Sequence, residues 1–175
     1  MDNSTETAAQ SSTGTGVLPG LIKQANTLFG RIPDTLIAMI ARFSIAGVFW
    51  KSGQTKIEGV AIDVVSGAFS LGVPRLSDSA PFLFKEAYSL PLIAPELAAL
   101  MAAFAEHLFP VLRLLGLATR FSALALLVMT LTIQIFVYPG AWPTHGVWAA
   151  VLLYLMAYGP GWCSMDHFIA ARYRR

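Results

Sequence analysis

An apolar window without any charged residue constrains this chain more than any other feature. Residues 121–138 (FSALALLVMTLTIQIFVY) contain no Asp, Glu, Lys or Arg, and Pro139 and Gly140 follow directly. A helix of about 20 apolar residues crosses the hydrocarbon core of a bilayer, which is roughly 30 Å thick. Proline and glycine at its end are typical helix-stop residues. The window therefore predicts a membrane-spanning helix.

Three further windows have a comparable composition. They lie at about residues 35–53, 93–112 and 143–158, and the last of them is the shortest. The connection at residues 54–92 holds prolines and several charges, so we do not count it as a span; within it, residues 60–73 are a candidate for a segment on the membrane surface. We therefore predict an all-α fold, a four-helix transmembrane bundle formed by residues 31–170.

The composition supports a lipid environment and excludes an ordinary soluble domain. The chain is 55% hydrophobic and 13% charged, whereas soluble domains are about 25% charged. A net charge of +2 gives no support for a nucleic-acid partner. The single cysteine, Cys163, excludes an intrachain disulfide and a multi-thiolate metal site. Since the three histidines are also far apart in sequence, we expect no metal.

The distribution of Lys and Arg predicts the orientation, because positive residues are retained on the cytoplasmic side. Residues 1–30 are predicted to be a disordered tail and residues 171–175 a basic tail. The two tails and the turn after the second window together hold more Lys and Arg than the first connection does. We therefore predict a multi-pass membrane protein with both termini in the cytoplasm. The tails and the turn hold Lys23, Arg31, Arg113, Arg120, Arg172, Arg174 and Arg175. The first connection and its border hold Lys51, Lys56, Arg75 and Lys85.

Four polar residues inside the windows are candidates for ligand binding or proton relay: Arg42, Glu106, His107 and Gln134. Ionisable groups at membrane depth are energetically costly, and they are usually paired or functional. At about 1.5 Å per residue, Arg42 and Glu106 lie at roughly the same depth, which predicts an ion pair. An equally weighted alternative is that this pair only locks two helices together. We expect His107 to be a packing or interface residue rather than a metal ligand.

Proline and glycine positions carry the structural predictions. Pro110 removes the backbone hydrogen bond to the carbonyl of Glu106 and so predicts a polar pocket beside that carboxylate. Gly47 and Gly53 predict a small-residue face for close helix packing. Gly159 and Pro160 end the fourth window.

Several motifs together resemble the DoxX family of small four-span bacterial membrane proteins, over about residues 35–168. One is the first window with Arg42, Gly47 and Gly53, followed by Lys56; another is Glu106 with Pro110 and the LLGLATR turn. The third window (IQIFVYPGAWP) is also similar to the family's third span. The closing stretch GPGWCSMD, with Gly159, Pro160 and Asp166, is similar to the family's closing motif. The long polar N-terminal tail and the extended first connection depart from the family pattern.

This resemblance implies a plasma-membrane protein that in some relatives is linked to thiosulfate or quinol oxidation and in others is a partner of a sulfurtransferase or superoxide dismutase. The first hypothesis is therefore a membrane subunit or accessory of a quinone-linked redox system, with quinone as the possible cofactor. Whether the chain catalyses a reaction stays open. The alternatives are a scaffold that recruits soluble enzymes, and a small-solute transporter, which would need a homo-oligomer because four spans are few.

Overall fold

The computed structural model describes residues 17–63, 66–88 and 90–173. The chain divides at Pro33 into two units. The first contains helix α1, Val17–Phe29. The sequence predicts a disordered tail for residues 1–30; the structure instead has this helix in it, and residues 1–16 lie outside the described residues.

The second unit is built mainly from four long helices. Three helices among the described residues are long and apolar enough to cross a membrane: α2 (Asp34–Gln54), α4 (Pro95–Leu115) and α5 with its continuation (Thr119–Val137). The α-helical part of the last one is Thr119–Thr132, and a π-helical turn, Ile133–Val137, completes it. The fourth, α6, is the 17-residue helix Trp142–Tyr158. These helices lie on the four predicted windows, and the prediction of a mostly helical membrane protein is confirmed.

Short elements connect the long helices. Before α4, the chain forms helix α3, Ser79–Leu83, and a π-helical turn, Phe84–Tyr88. A single 3₁₀ turn, Pro139–Ala141, precedes α6. The last helix, α7, is Met165–Tyr173.

The connection after α2 contains a β-hairpin, so the all-α prediction is wrong there. Strands β1 (Ile57–Asp63) and β2 (Ala68–Leu76) pair antiparallel, with an irregularity between Glu58 and Val60. The strand residues Phe69, Leu71 and Val73 alternate with small or polar residues, which is the period-two pattern of a strand. The predicted surface segment, residues 60–73, falls inside this hairpin.

The second unit places small and polar residues inside and large apolar residues outside. Its core contains three alanines among nine residues, which allow close helix packing. Large side chains such as Phe104, Val128 and Ile135 are exposed by half or more. An apolar exterior suits lipid as the surrounding solvent. The core residues are Ala38, Ala41, Ile45, Phe49, Ala123, Leu126, Leu127, Leu152 and Leu155.

Candidate functional site

Glu106 forms a buried ion pair with Lys56. The Lys56 Nζ donates to Glu106 Oε2 at 2.7 Å, and the two side chains are only 7% and 3% exposed. Ser52 completes the group: its hydroxyl donates to Glu106 Oε1 at 3.1 Å, and both its hydroxyl and its carbonyl accept from Lys56. Every polar atom of this pair therefore has a partner, as a buried ion pair requires.

The predicted ion pair between Arg42 and Glu106 is wrong. Arg42 lies near Leu114 whereas Ser52 lies near Glu106, so α2 and α4 are antiparallel. Gly53, not Arg42, is level with Glu106, because a Cβ at Gly53 would lie 3.0 Å from Glu106 Cβ. Arg42 lies about 16 Å away along α2, at about 1.5 Å per residue, and the long Lys56 side chain reaches Glu106 from beyond the end of α2.

Arg42 instead binds four backbone carbonyls. Its Nε donates to Arg113 O at 2.9 Å and its Nη2 to Leu114 O at 2.8 Å, both at the end of α4. Its Nη1 donates to Pro160 O at 3.1 Å and Cys163 O at 2.7 Å. The last carbonyls of a helix have no partner within it. Arg42 thus ties α2 to the end of α4 and to the segment after α6.

Asp166 closes the same end of the unit, which we call the turn end because residues 116–118 join α4 to α5 there. Its two carboxylate oxygens accept from the N–H groups of Ala118 at 2.7 Å and Thr119 at 2.8 Å. Its own N–H donates to Gly116 O. A carboxylate on the first N–H groups of a helix stabilises that helix. The turn end is thus held by Arg42 and Asp166 together.

Gly116 and Gly159 allow the chain to turn at this end. Gly116 has φ +66°, and a Cβ there would lie 2.7 Å from Arg42 Nη2. Gly159 ends α6 with φ +81°. Both backbone conformations favour glycine. Pro160 follows and supplies one of the carbonyls that bind Arg42.

A cavity of about 250 Å³ lies beside the Glu106 side chain, between α4 and α5. Lys56, Glu106 and Ser52 form its polar wall, and most of the other lining residues are apolar. Met101 and Val128 line it and are each exposed by more than half, so the cavity opens toward the lipid-facing surface. The apolar lining includes Phe84, Leu90, Ile93, Met129, Ile133 and Val137.

Tyr88 adds a neutral donor to this cavity. It is partly buried, and its ring packs against those of Phe84 at 4.7 Å and Tyr138 at 6.0 Å between centroids. Burial, and then the neighbouring Tyr138, raise the pKa of Tyr88 to about 12. Its hydroxyl therefore keeps its proton at neutral pH and can donate a hydrogen bond.

His107 lies next to Glu106 in sequence but does not line the cavity. Its Nδ1 is 2.6 Å from Ala103 O, which only accepts, so Nδ1 carries the proton. Its Nε2 then accepts from Gln54 Nε2 at 2.9 Å, and Gln54 Oε1 accepts from Ile62 N–H at 2.8 Å. His107 therefore links α4 to the hairpin through Gln54, which supports a packing role.

The two predicted packing glycines differ. A Cβ at Gly53 would lie 2.8 Å from His107 Cε1, so this close approach requires glycine. A Cβ at Gly47 would meet nothing within 4 Å, because that face of α2 is exposed. The tight contact predicted at both positions is present at Gly53 only.

Gln134 lies away from the cavity lining as well. Its Nε2 donates to Pro139 O at 2.6 Å, and its Oε1 accepts from His145 Nδ1 at 2.8 Å. It therefore joins the π-helical turn after α5 to α6. Pro110, which the sequence predicts to create a polar pocket beside Glu106, is buried within α4, four residues after Glu106, and does not line the cavity.

Sequence reasoning did not make Lys56, Ser52, Tyr88 or Arg113 site candidates. Ser52 lies in the last turn of α2, and Lys56 lies in the turn that follows it, outside the apolar windows. Arg113 was assigned to the turn; it is fully buried, and its three guanidinium nitrogens have no hydrogen-bond partner among the described residues.

One of the comparisons with known proteins identifies a family. The family model for DoxX matches residues 37–139, a range that includes Arg42, Lys56, Tyr88 and Glu106. No curated protein and no solved structure matches the chain. Because the match covers more than half of the chain, the protein belongs to the DoxX family.

Proposed function

We propose that this protein is a membrane subunit or accessory of a quinone-linked redox system and that the cavity beside Lys56 and Glu106 binds the quinone headgroup. The observation that carries the proposal is the combination of an apolar cavity of about 250 Å³ with one fully buried ion pair in its wall. Ligand sites typically pair apolar walls with a few placed polar groups.

The residues present fit a quinone headgroup. Its flat ring needs apolar walls, which α4 and α5 supply, and its carbonyl oxygens need donors. The Tyr88 hydroxyl is one donor, and Lys56 becomes a second by exchanging one of its hydrogen bonds to Ser52 for the ligand. The cavity volume of about 250 Å³ is slightly below the roughly 300 Å³ at which pockets for drug-sized molecules begin. It suits a headgroup whose tail leaves through the lipid-facing opening beside Met101 and Val128.

The depth of the site also fits a lipid-soluble ligand. At about 1.5 Å per residue, Glu106 lies near the middle of the 21-residue helix α4. When bound, a quinone supplies reversible two-electron, two-proton chemistry. Glu106 can hold a proton close to the ligand, Lys56 balances its charge, and Ser52 orients both groups.

The electrons that reduce the quinone would have to come from a partner protein. The DoxX resemblance suggests three classes of partner: a thiosulfate- or sulfur-oxidising enzyme, an oxidative-stress enzyme and a sulfurtransferase. Affinity capture from the native membrane tests for each of them.

A four-span arrangement in a bacterial inner membrane, with both termini in the cytoplasm, belongs to the same proposal. It rests on the distribution of Lys and Arg and on the four long helices.

Quinone binding by the purified full-length protein in lipid nanodiscs tests the proposal. We expect a soluble short-chain quinone to bind, and Glu106→Gln or Lys56→Met to weaken binding at least tenfold. The exposed ion pair of Arg75 with Glu58 on the hairpin is the matched control, and Arg75→Met should bind as the wild type does.

A double variant separates binding from a purely structural role of the pair. Replacing both partners of a buried ion pair by apolar residues is often neutral or stabilising, whereas removing one costs about 3–5 kcal/mol. Lys56→Met with Glu106→Leu should therefore fold and fail to bind quinone. Undiminished binding by this double variant, or no binding by the wild type, would contradict the proposed site.

A further inference from the structure

Helix α1 has an apolar face that no described residue of its own unit covers. None of its thirteen described residues is buried. Its large apolar residues recur at helical spacing on one face, and Lys23 and Thr27 lie on the opposite face. Leu18 and Phe29, near the two ends, are 69% and 68% exposed. The apolar face consists of Leu18, Leu21, Ile22, Leu28 and Phe29.

Such a helix needs an apolar surface in order to form. Isolated helices shorter than about 12–15 residues are marginal in water even with favourable sequences. Pro19 and Gly20 lower the helix propensity of α1 further. The stability of the helix must therefore come from burying its apolar face.

The covalent structure places a membrane within reach of α1. Residues 30–33 join Phe29 to Asp34, the first residue of the apolar helix α2. An extended chain covers at most about 3.6 Å per residue, so Phe29 lies within roughly 18 Å of Asp34. Since α2 is one of the helices suited to crossing the membrane, α1 stays close to the membrane surface.

The charge of the segment selects the kind of lipid. Residues 17–33 contain Lys23 and Arg31 and no Asp or Glu. Basic residues near a membrane surface are attracted to anionic headgroups. The family match begins only at residue 37, so this segment lies outside the part of the chain that the family model describes.

We propose that α1 is an interfacial anchor, which lies along the membrane surface with its apolar face among the acyl chains and its basic residues on anionic lipid headgroups. A helix with one apolar and one polar face adopts this arrangement. The inference does not depend on quinone binding.

Site-specific fluorescence on the full-length protein in nanodiscs tests the anchor. In a Cys163→Ser background, an environment-sensitive fluorophore is attached through Leu21→Cys on the apolar face or through Thr27→Cys on the polar face as the matched control. We expect the label at residue 21 to be quenched by spin-labelled acyl chains and the label at residue 27 by aqueous iodide. Equal iodide quenching at both positions would overturn the proposal.

The lipid preference has its own measurement. In nanodiscs that contain phosphatidylglycerol, acyl-chain quenching at residue 21 should be at least twofold stronger than in pure phosphatidylcholine. Lys23→Gln with Arg31→Gln should remove that difference. Acyl-chain quenching that depends on protein concentration rather than on lipid composition would point to a second copy of the chain as the cover and would contradict a lipid anchor.

Discussion

Two buried arginines at the turn end have opposite hydrogen-bonding states. Arg42 donates to four carbonyls, whereas the guanidinium nitrogens of Arg113 have no partner among the described residues. A buried acceptor that loses its hydrogen-bond donor lowers the stability by about 1–3 kcal/mol. Removing an unpaired buried charge leaves no such acceptor behind and therefore carries no such penalty. We therefore expect Arg42→Met to lower stability by about 3 kcal/mol or more, and Arg113→Met to leave it unchanged or raise it.

Thermal unfolding in detergent, followed by tryptophan fluorescence, measures both variants. Arg120→Met, at an exposed residue in the first turn of α5, serves as the control and should match the wild type. A loss of stability for Arg113→Met as large as for Arg42→Met would show that the Arg113 charge is compensated.

His107 is expected to hold the hairpin against the helices. His107→Ala removes the acceptor of Gln54 Nε2 and frees Gln54 to release Ile62 N–H. Hydrogen exchange of the amides in β1 should then become at least tenfold faster, while α5 stays protected. His145→Ala, which breaks the contacts with Gln134 and Trp148 and none with the hairpin among those described, should leave β1 unchanged. Faster exchange in both variants would mean general loosening instead.

Sequence patterns identify the charged residues of the interior better than they identify their partners. Arg42 and Glu106 stand out because a charge inside an apolar window is costly. The partner of Glu106 is a lysine just beyond the end of the first window, and the side chain of that lysine reaches back to Glu106. The partners of Arg42 are backbone carbonyls, which a sequence does not distinguish from any others.

At the scale of elements, the start of α5 depends on a residue from a distant part of the chain. Ala118, just before α5, has φ +47°, which is strained for a residue with a side chain, and its N–H donates to Asp166. We expect Asp166→Ala to lower the free energy of unfolding by about 1–2 kcal/mol, because both cap hydrogen bonds are lost. Chemical or thermal unfolding measures this change.

Glu58→Ala is the control for this prediction. Its exposed ion pair with Arg75 contributes less than about 1 kcal/mol. Equal stability of Asp166→Ala and wild type would contradict the cap assignment.

Long apolar helices are more predictable than the connections between them. The windows around α4 and α5 are recognisable because their length matches the bilayer. The hairpin lies in the connection at residues 54–92, which its prolines and several charges exclude from the predicted spans. In the structure Gly59 and Gly72 permit close approach of the two strands: a Cβ at Gly72 would lie 2.6 Å from Gly59 O.

At the scale of the whole molecule, the number of spans decides which ends of the chain share a compartment. Three helices, α4, α5 and α6, separate the hairpin residue Phe69 from Cys163. Both residues are exposed. If α6 crosses the membrane with the other two, the two positions lie on opposite sides; if it does not, they lie on the same side.

Labelling with a membrane-impermeant maleimide measures this in intact cells and in inverted vesicles. We expect Cys163 to react only in inverted vesicles and Phe69→Cys, in a Cys163→Ser background, only in intact cells. Labelling of both positions from one side would contradict the four-span arrangement.

The central claim is that the cavity beside Lys56 and Glu106 receives a quinone headgroup. Photoaffinity labelling with an azidoquinone in nanodiscs, followed by peptide mass spectrometry, tests it most directly. We expect the label on residues 98–106 of α4 and 125–133 of α5, and its loss in the Lys56→Met, Glu106→Leu double variant. Labelling elsewhere, or labelling that the double variant does not reduce, would contradict the account.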